Sequence, residues 1–212
     1  MTAPPKPLLT DDQGVTRCWW CVDDALYQHY HDMEWGFPVA DDTRLFEKLC
    51  LEGFQAGLSW LTILRKRANF RAAFAGFDIK RVARFNRRTV DRLLRDEGII
   101  RHRGKIEAAI NNAKRTIELV DEFGSLAAYV WQYEPQARSR PRRVTSNSIP
   151  STSPESVAMS KDLKRRGWSF VGPTTIYAFM QAMGLVDDHL SGCRTREEVE
   201  AARGSFTRPP CR

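Results

Sequence analysis

Apolar residues recur along this chain at intervals of three and four, and alternation with a period of two is almost absent. That pattern confines the fold to an all-α class. The spacing predicts helices near residues 23–34, 42–56, 60–72, 79–84, 88–96, 104–119, 124–132, 154–166 and 173–183. Asp78 and Ser153-Pro154 have the chemistry of helix N-termini, and Pro173 and Gly184 bracket an apolar helix. Residues 135–153 read as the one long loop, with Arg138 to Arg143 at its centre. The 212 residues suffice for one domain with a sizeable core or for two small ones. No linker-like stretch separates two domains. The expectation is a single two-lobed domain over residues 16–202, flanked by frayed tails at 1–15 and 203–212.

Charge is distributed unevenly. Residues 1–60 carry four Lys/Arg against ten Asp/Glu, whereas residues 61–90 carry nine against Asp78 alone. Such a basic segment is the footprint of a polyanion, most often nucleic acid; a solvated basic face is the plainer alternative. There is no run of 18 apolar residues, so no membrane span or membrane partner is expected. Residues 1–9 are too poor in apolar character for a signal peptide. The five cysteines (18, 21, 50, 193 and 211) have no disulfide-framework spacing. A reduced, cytoplasmic, monomeric protein is therefore expected, with metal binding favoured over disulfides.

One carboxylate stands out. In the segment 41–57, Leu45, Leu49, Glu52 and Ala56 fall within about 60° of one another on a helix. Glu47 takes the usual solvent position, and Glu52 does not. A carboxylate on a core-facing stripe costs free energy unless it is paired or sits in a pocket, and such groups collect at functional sites. The alternative is that the helix ends early and Glu52 turns to water. Trp19, Trp20, Tyr27, Tyr30, Trp35 and Trp60 crowd into the same 60 residues. Rings around a carboxylate can hold a flat, electron-poor ring by its faces and its edge; an aromatic core is the commoner outcome.

Metal ligands are available at both ends. Cys18 and Cys21 are spaced C-x-x-C, His31 follows, and His189 and Cys193 are spaced i, i+4, which on a helical turn lets both face one point. Three sulfurs and two imidazoles are one more than tetrahedral zinc needs. A zinc here would be structural and would tie the two ends of the chain together. Between two helical patterns lies Gly98-Ile99-Ile100-Arg101-His102-Arg103-Gly104-Lys105-Ile106. Helix N-terminal amides flanked by Arg101, Arg103 and Lys105 can hold a phosphate, although an ordinary helix connection has the same pattern.

Several segments together resemble the 3-methyladenine DNA glycosylase I (Tag) family. They are Arg17-Cys18 with Trp20, Tyr30-His31-Asp32 with Glu34-Trp35-Gly36, Leu51-Glu52-Gly53 with residues 55–60, residues 98–106, Ile149 to Ser153, Phe170-Val171-Gly172 with Thr174-Thr175, and Gly184-Leu185-Val186 with Asp188-His189 and Cys193. They occur in family order over roughly residues 17–193. The resemblance implies a helix–hairpin–helix glycosylase fold and removal of N3-alkylated adenine from double-stranded DNA. It implies one structural Zn2+ held by Cys18, His31, His189 and Cys193. It implies Glu52 as the catalytic carboxylate and Tyr30, Trp20 and Trp60 as base-binding residues. It brings Gly57 and Leu58 to the duplex, with Leu58 as an apolar plug, and assigns Arg101, Arg103, Gly104 and Lys105 to the phosphate backbone.

One feature departs from the family pattern, and a second sets the family apart from other hairpin-type glycosylases. Cys21 adds a thiol that can compete with His31 for the metal. The aspartate that other hairpin-type glycosylases place after the hairpin is missing; Asp121 and Glu122 occupy that stretch and read as solvated charges. The expected reaction is base flipping followed by hydrolysis of the N-glycosidic bond, without strand cleavage. A competing reading is a non-enzymatic, zinc-stapled module that binds damaged or distorted DNA. It has no use for a carboxylate among aromatic rings. A zinc-dependent hydrolase is a third reading, and it needs an open metal position.

Overall fold

The computed structural model describes residues 8–139, 141 and 143–210. Their regular structure is helical apart from one short hairpin. The strands are β1 (Leu8–Thr10) and β2 (Thr16–Cys18). The helices are α1 (Ala25–Met33), α2 (Asp42–Gln55), α3 (Trp60–Ala73), α4 (Ile79–Ala83), α5 (Arg87–Leu93), α6 (Arg103–Phe123), α7 (Leu126–Trp131), α8 (Pro154–Arg165), α9 (Pro173–Ala182) and α10 (Arg194–Ser205). The described residues divide into two compact units. The first combines the chain up to Pro38 with Glu134–Ser151 and Met180–Thr207, and the second combines Val39–Tyr133 with Thr152–Phe179 and the residues from Arg208.

The second unit is built around α6, which packs on α2, α4, α5 and α7. Its core is aromatic: Phe46, Phe54, Phe70, Phe74 and Phe77 are fully buried and their rings meet in a continuous chain of contacts. Helix starts follow their capping residues. Asp41, Asp78 and Ser153 each accept a hydrogen bond from a backbone N–H of the first turn. Asp42 reaches across the sequence, and its two carboxylate oxygens accept from Leu126 N and Ala127 N at the start of α7. This places an anion at a helix N-terminus, where the dipole favours it.

The first unit contains the hairpin, α1, α10 and the connecting segments. Leu8 pairs with Cys18, Leu9 with Arg17 and Thr10 with Thr16. Residues 8–15 therefore depart from the frayed tail expected of them: Asp11 closes the turn by accepting from Gln13 N and Val15 N. The expected tail at 203–212 is also shortened, because α10 extends to Ser205 and carries the buried Arg203, bonded to Glu134 and to Leu185 O. Helix α10 is absent from the periodicity reading because its sequence is almost entirely polar, with Val199 as its one large apolar residue. Residues 1–7, 140, 142, 211 and 212, which belong to the predicted tails and loop, lie outside the described residues.

Candidate functional site

Helix α2 carries three charged side chains out of water. Glu52 is 5% exposed, Lys48 5% and Glu47 8%. The core position of Glu52 agrees with the apolar stripe, since Leu45 and Leu49 are buried beside it in the helix, but Ala56 is not part of that stripe: it is the exposed C-cap. Glu47 corrects the sequence reading, which gave it to solvent. It is buried because Arg71 of α3 supplies a fork, donating from Nε to both carboxylate oxygens at 2.9 and 3.0 Å.

Glu52 has a different partner. Lys48, one turn earlier, puts Nζ 2.8 Å from Glu52 Oε1. The same ammonium lies 3.1 Å from the centroid of the Trp60 ring, at cation–π distance. Trp60 is fixed at the first position of α3, where Ser59 Oγ accepts from Thr62 N. A carboxylate, an aromatic face and a cation thus form one cluster in the second unit. Lys48 escaped the sequence reading. The i, i+4 spacing from Glu52 was the available signal, but that spacing ordinarily denotes a surface pair.

Beyond Gln55 the chain turns sharply. Gly57 adopts φ +83°, a left-handed conformation that glycine takes without strain, and Leu58 N donates to Gln55 O. Leu58 is 42% exposed, unusual for so large an apolar side chain. The loop is braced from α6. Lys105 is buried, and its ammonium donates to Phe54 O at 2.9 Å and Ala56 O at 2.6 Å. Burial lowers its pKa. The Lys105 ammonium, which the sequence reading assigned to a phosphate, is turned inward onto two carbonyls at the end of α2. Arg101 and Arg103 remain half exposed, Arg101 near Glu97 and Arg103 between Asp91 and Glu107. His102 caps α6, its ring accepting from Lys105 N. Asp121 and Glu122 are exposed, in line with their reading as solvated charges; Glu122 pairs with Arg166.

Phe170 is a further residue of this unit to which sequence reasoning gave no role. It takes φ +57° although it is not glycine, and it is 39% exposed. Its neighbours are anchored on both sides: Ser169 exchanges two hydrogen bonds with the Asn112 side chain, and Ser160 Oγ donates to Val171 O. Gly53 makes room for it, since a Cβ there would stand 3.3 Å from Phe170 Cβ.

Trp20 and Tyr30 belong to the first unit. Trp20 packs on Tyr27, His31 and Trp35, with ring centroids about 5 Å apart. Tyr30 is buried, its ring tilted by 33° against that of Tyr27 with centroids 6.4 Å apart. The sequence reading gathered these rings beside Glu52; here Trp20 and Trp35 pack against His31. His31 belongs to a group with Cys18, His189 and Cys193 whose ligand atoms all lie within 4.8 Å of one another. All four residues are buried. His189 Nδ1 is 3.2 Å from His31 Nε2, and Cys193 Sγ is 3.5 and 3.6 Å from these two nitrogens. The outer nitrogens are held as donors, His31 Nδ1 to Asp32 at 2.8 Å and His189 Nε2 to Trp35 O at 2.9 Å. The inner nitrogens, His31 Nε2 and His189 Nδ1, both turn toward Cys193 Sγ. Gly36 permits this approach, because a Cβ there would meet the His189 ring at 3.1 Å. Cys21 stands beside this group, its thiol donating to Cys18 O.

His189 and Cys193 do not share a helical turn, as their spacing suggested. They lie on a non-helical turn ahead of α10, in which Cys193 N donates to Leu190 O. Charge accumulates within the group. Burial opposes the charged form of His31, but Cys193, Cys21 and Asp32 outweigh it and raise its pKa to about 10. Hydrogen bonds from Cys18, His189 and His31 hold the Cys193 thiol well below the usual range, and Cys18 is pushed up in exchange.

A family model described as methyladenine glycosylase matches residues 20–197. The chain belongs to the methyladenine glycosylase family. DNA-3-methyladenine glycosylase 1 of Escherichia coli K12 is 48% identical over 179 residues, covering 84% of this chain and 96% of that one. The Haemophilus influenzae DNA-3-methyladenine glycosylase is 45% identical and covers 84% and 97%. Among solved structures, 3-methyladenine DNA glycosylase I (TAG) from Staphylococcus aureus matches with a TM-score of 0.79 at 35% identity, over 82% of this chain and 93% of that one. The matched residues fall in both units of the chain.

Proposed function

We propose that this chain is a DNA-3-methyladenine glycosylase of base-excision repair, which hydrolyses the N-glycosidic bond of N3-methylated adenine in double-stranded DNA. Family membership supports the activity. The observation that carries the site assignment is the Lys48 ammonium lodged between Glu52 and Trp60: this corner of the fold is built to hold a positive charge against an aromatic face.

Methylation at N3 makes the adenine cationic and already a good leaving group. Flipping the damaged nucleotide costs less than flipping a paired one, because alkylation weakens pairing. The flipped ring stacks on Trp60, and Glu52 accepts hydrogen bonds from its edge. As the bond to the sugar breaks, positive charge moves onto the sugar, and Glu52 stabilises it. Water completes the reaction, leaving free base and an abasic site. Tyr30 and Trp20 are assigned to base binding on the family resemblance. Gly57 and Leu58 are the duplex-facing loop, with exposed Leu58 entering the space the base vacates. Arg101, Arg103 and Gly104 approach the phosphates in a helix–hairpin–helix contact formed by α5, α6 and their connection, and Lys105 supports the loop from inside.

Cys18, His31, His189 and Cys193 fit a Zn2+: two thiols and two imidazoles converge with no carboxylate among them, and the far ring nitrogens are bonded to Asp32 and to Trp35 O. The ion would supply cross-linking of distant chain segments and no reaction step. The deciding experiment is base release from methylated DNA followed by chromatography. Wild type liberates 3-methyladenine; Glu52→Gln keeps its fold and DNA affinity and loses most of the excision rate. Undiminished release by Glu52→Gln would remove Glu52 from the chemistry.

A further inference from the structure

We propose that Lys48 is an internal competitor for this site, a cation that occupies the place of the base, so that entry of a purine is an exchange of one occupant for another. The proposal rests on the assignment of Glu52 and Trp60 as base ligands. A purine stacked on Trp60 places its ring plane about 3.5 Å from the indole, the contact distance of packed carbon atoms. The Lys48 ammonium stands 3.1 Å above the ring centroid and fills that plane. Its bond to Glu52 Oε1, at 2.8 Å, takes up the carboxylate that would read the edge of the base. Both recognition elements are therefore engaged by one side chain, itself buried.

Any purine must displace this ammonium. The apparent affinity of every ligand is then reduced by the fraction of molecules in which Lys48 stands aside. A cationic base restores what the exchange removes, a positive charge at Glu52 and a cation on the ring face. A neutral purine restores neither, and its weaker intrinsic binding falls below useful occupancy. Lysine suits the role because its charge sits on a flexible four-carbon stem that can swing without backbone movement. The weakly bound neutral purine is thereby held further below saturation, while its affinity relative to the cation is set by Glu52 and Trp60.

The test is titration of the full chain with two small purines, neutral 9-methyladenine and the 3,9-dimethyladeninium cation. Wild type is compared with Lys48→Met and Lys48→Gln; the glutamine keeps a hydrogen-bonding head beside Glu52 should the methionine disturb the fold. Both variants are expected to bind both purines more tightly, by a factor on the order of ten, the size of the contacts the lysine gives up. The cation should gain at least as much as the neutral purine, because a like charge has been removed from its surroundings. Unchanged or weaker binding in both variants overturns the proposal, since a lysine serving the fold or the bound base costs affinity when removed. Glu52→Gln separates the two readings. Wild-type affinity for the cation in that variant removes Glu52 from the site and the exchange with it; weakened affinity there, without a gain in the Lys48 variants, overturns the exchange alone.

Discussion

The Lys105 ammonium lies 2.6 Å from the carbonyl oxygen of Ala56. With its bond to Phe54 O it satisfies two carbonyls at the end of the helix that carries Glu52. Lys105→Met leaves both without their charged donor and should lower stability by about 2 kcal/mol, the usual worth of hydrogen bonds to a charged group. Excision should fall as well, because the loop bearing Leu58 loses its brace. The dependence of DNA affinity on salt should keep its slope, since the lysine neutralises no phosphate. A slope reduced by about one in a log–log plot would return Lys105 to the backbone-binding set.

Glu47 and Glu52 lie on the same helix, both buried, with opposite expected phenotypes. Glu47 is committed to Arg71. Glu47→Gln should cost about 1 to 2 kcal/mol in urea unfolding, a figure held down by the half-exposed guanidinium. Its rate of 3-methyladenine release should match wild type. A loss of excision comparable to that of Glu52→Gln, with stability unchanged, would show the roles to be reversed.

The metal cluster predicts about one zinc per purified chain, the content of a single four-ligand site. Cys193→Ser should lose the ion and melt earlier, while far-UV circular dichroism at low temperature stays helical. Because zinc must displace the protons that His31 and Cys18 otherwise hold, binding should weaken as pH falls. A chelator is expected to destabilise the protein before it affects the rate of base release. Purified protein without metal would end this assignment.

Helices such as α2 and α8 were legible because their apolar periods are clear and their starts carry Asp or Ser-Pro, and Asp78 marked the start of α4. Glu52 was legible for the converse reason, as a charge where the period demanded an apolar residue. Partner choice was not. Glu47 looked solvent-facing because nothing in the sequence states that Arg71, 24 residues on, returns to meet it. Lys105 looked like a phosphate ligand because inward and outward lysines have the same neighbours in sequence. Helix α10 is polar along nearly its whole length and is fixed by single buried contacts such as Arg203 with Glu134, which periodicity does not register. The hairpin at 8–18 is too short to give an alternation.

Asp162 links three residues of the second unit, bonded to Arg166 at 2.7 Å, to Arg165 and to the Tyr129 hydroxyl at 3.0 Å. Burial raises its pKa, but the two guanidiniums and the hydroxyl outweigh that and hold it below the ordinary carboxylate value. A depressed folded-state pKa means that the unfolded chain takes up the proton first. The stabilisation is therefore complete above the ordinary carboxylate range and disappears as pH falls through the lower, folded value. Stability should decline on acidification below about pH 4. Asp162→Asn should be less stable than wild type at neutral pH and should lose less on acidification, so the two urea midpoints converge toward pH 3. Parallel curves over that range would show that the Asp162 charge has no part in holding α8 in place.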